Sequence, residues 1–136
     1  MKNPWIRPVA QGVLLASAIM LSHGVSARPA SVIIDLAELH ASFEKAGNST
    51  MGMPEYNQTL KVKGVVLDVS KNLSGRSLLQ AGAASSEAAL ARLTPANEKE
   101  DAKLRKLAPD ATFTATCTLS FASGSDYLPL SNCSFP

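Results

Sequence analysis

Histidine, cysteine and aromatic residues are scarce in this chain, and each shortage removes a class of chemistry. Of 136 residues, 2 are Cys, 2 are His and 5% are aromatic. His23 lies in the apolar N-terminal segment, which leaves His40 as the only histidine beyond it. A Ser-His-Asp arrangement would have to be built on His40, inside an amphipathic segment with no nucleophile motif beside it. Two cysteines and one remote histidine cannot make a Cys-rich zinc site. Gly75 and Gly82 are isolated, so there is no GxxxxGK phosphate cradle. Clustered carboxylates occur only at Glu98, Glu100 and Asp101, a helix start where solvation is the expected state. No catalytic residue, metal or cofactor is expected, and the chain reads as non-enzymatic.

The N-terminus is the most informative part of what is there. Lys2 and Arg7 precede an apolar run from Val9 to Leu21, and Val25 and Ala27 stand at −3 and −1 of a cut before Arg28. That layout predicts a secretory signal peptide over residues 1–27. The apolar run is shorter than the ~20 residues that span a bilayer. No lipid-attachment cysteine lies at the cut, so a bacterial periplasmic or secreted protein without a membrane anchor is expected. Losing Lys2 and Arg7 takes the basic residues from 13 to 11, equal to the 11 acidic ones. Nucleic-acid binding draws most of its affinity from clustered cations, so a neutral chain argues against it. The remainder has the size of one domain, expected to be monomeric.

Ser31 to Lys45 predicts a helix capped by Ser31, with Val32, Leu36, Leu39 and Phe43 on one face and His40 at its edge. Asn48 to Asn57 is a Gly/Ser/Thr/Pro-rich loop. Its Met51-Gly52-Met53 lacks the His or Cys partners of a soft-metal site, and its methionines are expected to cover apolar surface. Thr59 to Ser70 predicts a long strand whose alternation changes phase at Gly64, as at a bulge or sharp bend. Asn72 to Gly75 is a turn, and Arg76 to Ala81 a short strand. Ala88 to Leu93, with Ser86 as a cap, has helical propensity but lies between strands. Asn97 to Ala108 predicts a helix begun by Thr94-Pro95 or Asn97, with acids first, bases last and an Asp101–Arg105 pair. N-x-S/T matches occur at Asn48, Asn57, Asn72 and Asn132.

Ala111 to Phe121 carries the cleanest pattern. Ala111, Phe113, Ala115, Cys117, Leu119 and Phe121 alternate with Thr112, Thr114, Thr116, Thr118 and Ser120, a period of two. Ser123 to Asp126 turns the chain, and Tyr127 to Phe135 returns as a strand. An even cysteine count in an exported domain favours a Cys117–Cys133 disulfide; two buried thiols are the alternative. An antiparallel register centred on that bridge pairs Phe121 with Pro129, Leu119 with Ser131 and Ala115 with Phe135. Closing the intervening loop is worth roughly 3 kcal/mol.

Three stretches resemble the small exported bacterial OB-fold proteins of the tRNA_anti-like family. They are Glu55 to Val66, a tyrosine-led start into a strand turning at glycine; Leu104 to Cys117, a helix end passing into a cysteine strand; and Leu130 to Phe135. Pro109-Asp110 replaces the Gly-Asp turn usual in that group. The resemblance implies a mainly β fold, a five-stranded OB-fold Greek-key barrel with an N-terminal helix and a helix between strands 3 and 4. It makes residues 28–58 the N-terminal helix and loop and 59–136 the barrel, and Ala88 to Leu93 a strand against its propensity. OB barrels bind ligands across strands two and three and the adjoining loops. Those two strands hold no aromatic, which argues against oligonucleotides. Lys61, Lys63, Arg76 and Arg92 are the candidate ligand-binding patch, expected to share one side of the barrel. The reading is an exported envelope module binding an unknown small ligand or envelope protein. Its alternatives are a single-stranded nucleic-acid binder and a structural accessory domain of an envelope complex.

Overall fold

The protein is described from a computed structural model covering residues 32–84 and 87–136. The signal peptide, its cut after Ala27, and Ser31 and Ser86 as caps lie outside the described residues.

The elements run β1 (Ile33–Asp35), α1 (Leu36–Lys45), β2 (Thr59–Lys71), β3 (Ser77–Gly82), β4 (Ala91–Pro95), α2 (Glu98–Arg105), β5 (Thr112–Leu119) and β6 (Leu128–Ser134). Strands β2 to β6 follow the spatial order β2-β3-β4-β6-β5, and β5 pairs again with β2 to close a barrel. Every barrel pair is antiparallel apart from β4 with β6. With α2 between β4 and β5, this is the five-stranded Greek-key barrel of the OB fold. The threonine alternation of β5 sets its inside: Phe113, Ala115, Cys117 and Leu119 are buried beside Val62, Val66, Leu79, Leu93 and Leu130. Leu36, Leu39 and Phe43 of α1 and Leu104 of α2 complete the same core.

The N-terminal helix is shorter than its apolar spacing predicts. Val32-Ile33-Ile34 is β-branched, and Ile33–Asp35 forms a strand parallel to β2, with Ile33 opposite Lys61 and Asp35 opposite Lys63. Asp35 then caps α1, its carboxylate accepting the Ala37 N–H at 2.8 Å. Because Lys61 and Lys63 also pair with β5, while Val65 pairs with both β5 and β3, β1 and β3 lie end to end along one edge of β2.

Gly64 is not where β2 changes phase. Leu60, Val62, Gly64 and Val66 are all buried, and the register slips only between Val66 and Asp68. Gly64 instead makes room: a Cβ there would lie 2.5 Å from Leu36 Cδ1 and 3.1 Å from the Gly82 carbonyl. The glycine lets α1 seat Leu36 against the strand.

The expected Ala88 to Leu93 strand forms as Ala91–Pro95, so Thr94-Pro95 belongs to a strand and the start of α2 falls to Asn97. The Asn97 side chain accepts the Glu100 N–H at 3.0 Å. The expected strand Arg76 to Ala81 is Ser77–Gly82, and α2 stops at Arg105, leaving Ala108 exposed.

Cys117 and Cys133 form the disulfide, closing a separation of 16 residues. The register centred on it holds on one side only. Thr116 pairs with Ser134 as expected, but Thr118 pairs with Ser131 and Leu119 with Leu130 rather than Ser131. Asn132 is the cause: it sits at φ +51°, so β6 sets both Asn132 and Cys133 against Cys117. This bulge also offsets β6 from β4. β5 ends at Leu119; Ala122 is buried in place of Phe121, which is 59% exposed. Phe121 therefore belongs outside, contrary to the simple alternation.

The four asparagines of the N-x-S/T matches sit at turns or, for Asn132, at the β6 bulge. Asn48, Asn57 and Asn132 adopt positive φ, which asparagine tolerates better than most residues. Asn72 Oδ1 accepts from the Ser74 and Arg76 N–H groups and the Ser74 hydroxyl.

Candidate ligand-binding face

Alternation along β3, β4 and β6 decides which side chains reach the outer surface. Leu79 and Ala81, Ala91 and Leu93, and Leu128 and Leu130 are buried. Their neighbours Leu78 and Gln80, Arg92 and Thr94, and Pro129 and Ser131 therefore point outward. The register aligns Gln80, Arg92 and Pro129 in one row across the three strands, continued on β2 by Asp68. Leu78, Thr94 and Ser131 lie two residues along from them, towards Ser70 of β2.

A groove of about 230 Å³ opens on this face, lined by Leu78, Arg92, Thr94, Tyr127, Pro129 and Ser131. The Arg92 guanidinium lies over the Tyr127 ring, 4.0 Å from its centroid. Such a cation–π contact fixes a long side chain and leaves its N–H edge free to donate. Among the described residues, Arg92 has no carboxylate partner within ion-pair distance.

Tyr127 is set in place by the loop before it. The Tyr127 N–H donates to Ser125 Oγ at 3.2 Å, and that hydroxyl donates to the Tyr127 carbonyl at 3.0 Å. The loop is fastened to the end of α1. Asn48 Nδ2 donates to the Ser125 carbonyl at 2.9 Å, and the Gly124 N–H donates to the Asn48 carbonyl at 2.8 Å. His40 Nε2 lies 3.0 Å from the Asp126 carbonyl, while its Nδ1 is 3.3 Å from Glu44. Thr50 closes the other flank: its N–H donates to the Ala122 carbonyl and its hydroxyl accepts the Ala122 N–H at 2.8 Å. The segment after α1 thus holds the β5–β6 loop, and His40 is a half-buried packing and hydrogen-bonding residue. Met53 of that segment enters the core and Met51 is exposed.

The four sequence-predicted cations do not converge. Arg92 alone lines the groove. Lys61 and Lys63 lie on β2 opposite Thr116 and Thr114, and Lys61 borders a separate groove of about 160 Å³ with Thr114, Thr116 and Phe135. In the closed strand order, β3 separates β2 from β4 on one side and β5 with β6 separate them on the other. Arg76 is exposed at the β2–β3 turn, near Asp101 of α2. The residue missed was Tyr127. The β5–β6 loop is one of the two that flank the OB ligand face, so an aromatic at its end was a usable signal.

The barrel is shared with a lipoprotein. Its fold is similar to the crystal structure of a Klebsiella pneumoniae subsp. pneumoniae lipoprotein provisionally named nucleic acid-binding, with TM-score 0.54 and 14% identity. The similarity covers 77% of this chain and 91% of that one. At that identity the likeness concerns the fold. No protein-family model and no curated protein matches the chain.

The carboxylates with displaced titration lie away from the groove, on α2. The Phe135 N–H donates to Glu100 Oε2 at 2.8 Å and, with Lys103 at 3.3 Å, holds Glu100 below the usual carboxylate range against the opposing effect of burial. The Ser77 N–H donates to Asp101 Oδ1 at 2.7 Å, and Arg105 sits 3.1 Å from the same carboxylate, so Asp101 is lowered too. These two acids clasp the start of β3 and the end of β6 to the helix. Lys103, part of the basic helix end, is engaged with Glu100 and the Phe135 carbonyl. Among the described residues, no group of three or more His, Cys, Asp or Glu side chains is arranged to hold a metal ion.

Proposed function

We propose that this protein is a non-enzymatic, exported binding module of the cell envelope, of the kind represented by the small tRNA_anti-like OB-fold proteins it resembles, and that its ligand face is the outer surface of β3, β4 and β6. One observation carries the reading: Arg92, without a carboxylate partner among the described residues, is stacked on Tyr127 at the edge of a groove. The face includes β3 and β4 and adjoins the β5–β6 loop, parts of the surface where OB barrels take their ligands. The Cys117–Cys133 disulfide suits an oxidising compartment, in keeping with the predicted signal peptide.

Amide-shift mapping of the ¹⁵N-labelled protein with D-glucose, D-glucuronate, glucose 6-phosphate and the oligonucleotide (dT)12 tests the assignment. Shifts converging on Leu78, Arg92, Thr94, Tyr127 and Ser131 support it. Binding that perturbs only other surfaces removes it.

Single-stranded nucleic-acid binding is the second reading. An arginine stacked on a tyrosine is the type of element such proteins use, and the Klebsiella neighbour carries that provisional name. Its signature is (dT)12 affinity that falls steeply with salt; absence of binding at low salt eliminates it.

A further inference from the structure

The groove also constrains the chemistry of its occupant. Resting on the ligand face assigned above, we propose that it receives one anionic sugar residue, with the acid group on Arg92 and the ring between Leu78 and Pro129.

Charge is the first constraint. The row through the face runs Asp68, Gln80, Arg92, Pro129, so it contains one cation and, at its far end, one acid. Lys61 and Lys63 are on a different side of the barrel. A polyphosphate backbone needs a track of cations along its length; a ligand with a single acid group needs one. Arg92 is suited to that role. With its central carbon 4.0 Å over the Tyr127 ring, the guanidinium is anchored while its planar fork of N–H donors can grip a carboxylate or phosphate in bidentate fashion.

Size and surface are the second constraint. A space of about 230 Å³ suits one ring and its substituents rather than a run of bases. Among the described residues, Tyr127 is the only aromatic lining it, and one of its faces already carries Arg92. The remaining lining is of two kinds. Leu78 and Pro129 offer apolar surface for the C–H face of a sugar ring. Thr94 and Ser131 offer hydroxyls, each able to donate and accept, as does the Gln80 amide beside Arg92. Ser131 is already oriented by Ser120, its Oγ 2.5 Å away. An acid group, several hydroxyls and an apolar face together describe an acidic sugar.

The acid can be a carboxylate or a phosphate monoester, and the test separates them. Amide shifts are followed during titration with D-glucuronate, glucose 6-phosphate, D-glucose and (dT)12, on the wild type and on Arg92→Gln and Arg92→Lys. The exposed position of Arg92 makes both variants compatible with folding, which the unperturbed core amides verify. One or both acidic sugars are expected to shift Leu78, Arg92, Thr94 and Ser131, the stronger identifying the acid. Neutral glucose should bind about tenfold or more weakly, and Arg92→Gln should remove that preference. Arg92→Lys should recover only part of it, since an ammonium lacks the fork. Absence of shifts at this face with both acidic sugars, or glucose binding as tightly as both, overturns the proposal. So does (dT)12 shifting this face when neither acidic sugar does, an outcome that leaves the ligand face standing. Acidic sugars that shift only the Lys61–Thr116 surface overturn both the proposal and the face.

Discussion

Leu36 Cδ1 occupies the space that a Cβ on Gly64 would need, 2.5 Å from its ideal position. Leu36 is fully buried at the start of α1, so the helix and the barrel are fitted to each other at this glycine. Gly64→Ala should destabilise the protein by about 1–3 kcal/mol, the usual cost of overpacking. Denaturant unfolding checks this. The Leu36→Ala/Gly64→Ala double variant should lose less than the two single losses added together, because the smaller residue at 36 vacates the contested space.

Asn132 should tolerate glycine and resist β-branched residues. It holds φ +51° at the bulge that puts two residues of β6 against Cys117. Asn132→Gly is expected to leave stability nearly unchanged, whereas Asn132→Val should cost about 1–2 kcal/mol. Thermal unfolding of the two variants distinguishes a conformational demand from a side-chain one.

Breaking the Cys117–Cys133 bridge should cost about 3 kcal/mol, as expected for closing 16 residues. That is a large share of a typical net stability of about 5–15 kcal/mol. The double Cys→Ala variant and the reduced wild type should unfold at similar, lower denaturant concentrations. Thiol titration of the unreduced, unfolded protein should find no free thiol.

Acid should loosen the clasp of α2. Glu100 and Asp101 both titrate below their ordinary values of 4.5 and 3.8. A carboxylate lowered by folding contributes stability that is fully present above its unfolded value and is lost as pH falls towards its folded one. The melting temperature should therefore hold from neutral pH to about pH 5 and decline below that. Glu100→Gln/Asp101→Asn should be less stable at neutral pH and show a shallower decline. A decline as steep as that of the wild type would assign the acid sensitivity elsewhere.

Much of the barrel is legible along the chain because β5 writes its two faces as Thr112–Thr118 against Phe113–Leu119, a local pattern. The capping asparagine and charge order of α2 are local too. What escaped depends on partners distant in sequence. β1 is 3 residues long and gains its hydrogen bonds from β2, so the helical spacing of Val32, Leu36 and Leu39 concealed it. The β2 phase break falls beyond Gly64 because the glycine answers to Leu36, not to the bulge. The four cations were expected to share one side of the barrel, but barrel closure puts Lys61 and Arg92 on different sides. Tyr127 reaches Arg92 only because Asn48, Ser125 and Asp126 bring the β5–β6 loop into position, a relation between segments that periodicity does not contain.

On the function proposed here, Arg92 and Tyr127 mark the ligand face and the lysines of β2 do not. Affinities of D-glucuronate, glucose 6-phosphate and (dT)12 for wild type, Arg92→Gln and Lys61→Gln/Lys63→Gln test it most directly. Every probe that binds should lose about tenfold or more with Arg92→Gln, the scale of a charge-assisted hydrogen-bond pair. The same probes should change by less than about twofold with the lysine pair, as expected of distant exposed charges. Loss confined to the lysine variant, with Arg92→Gln unchanged, would move the ligand face to β2.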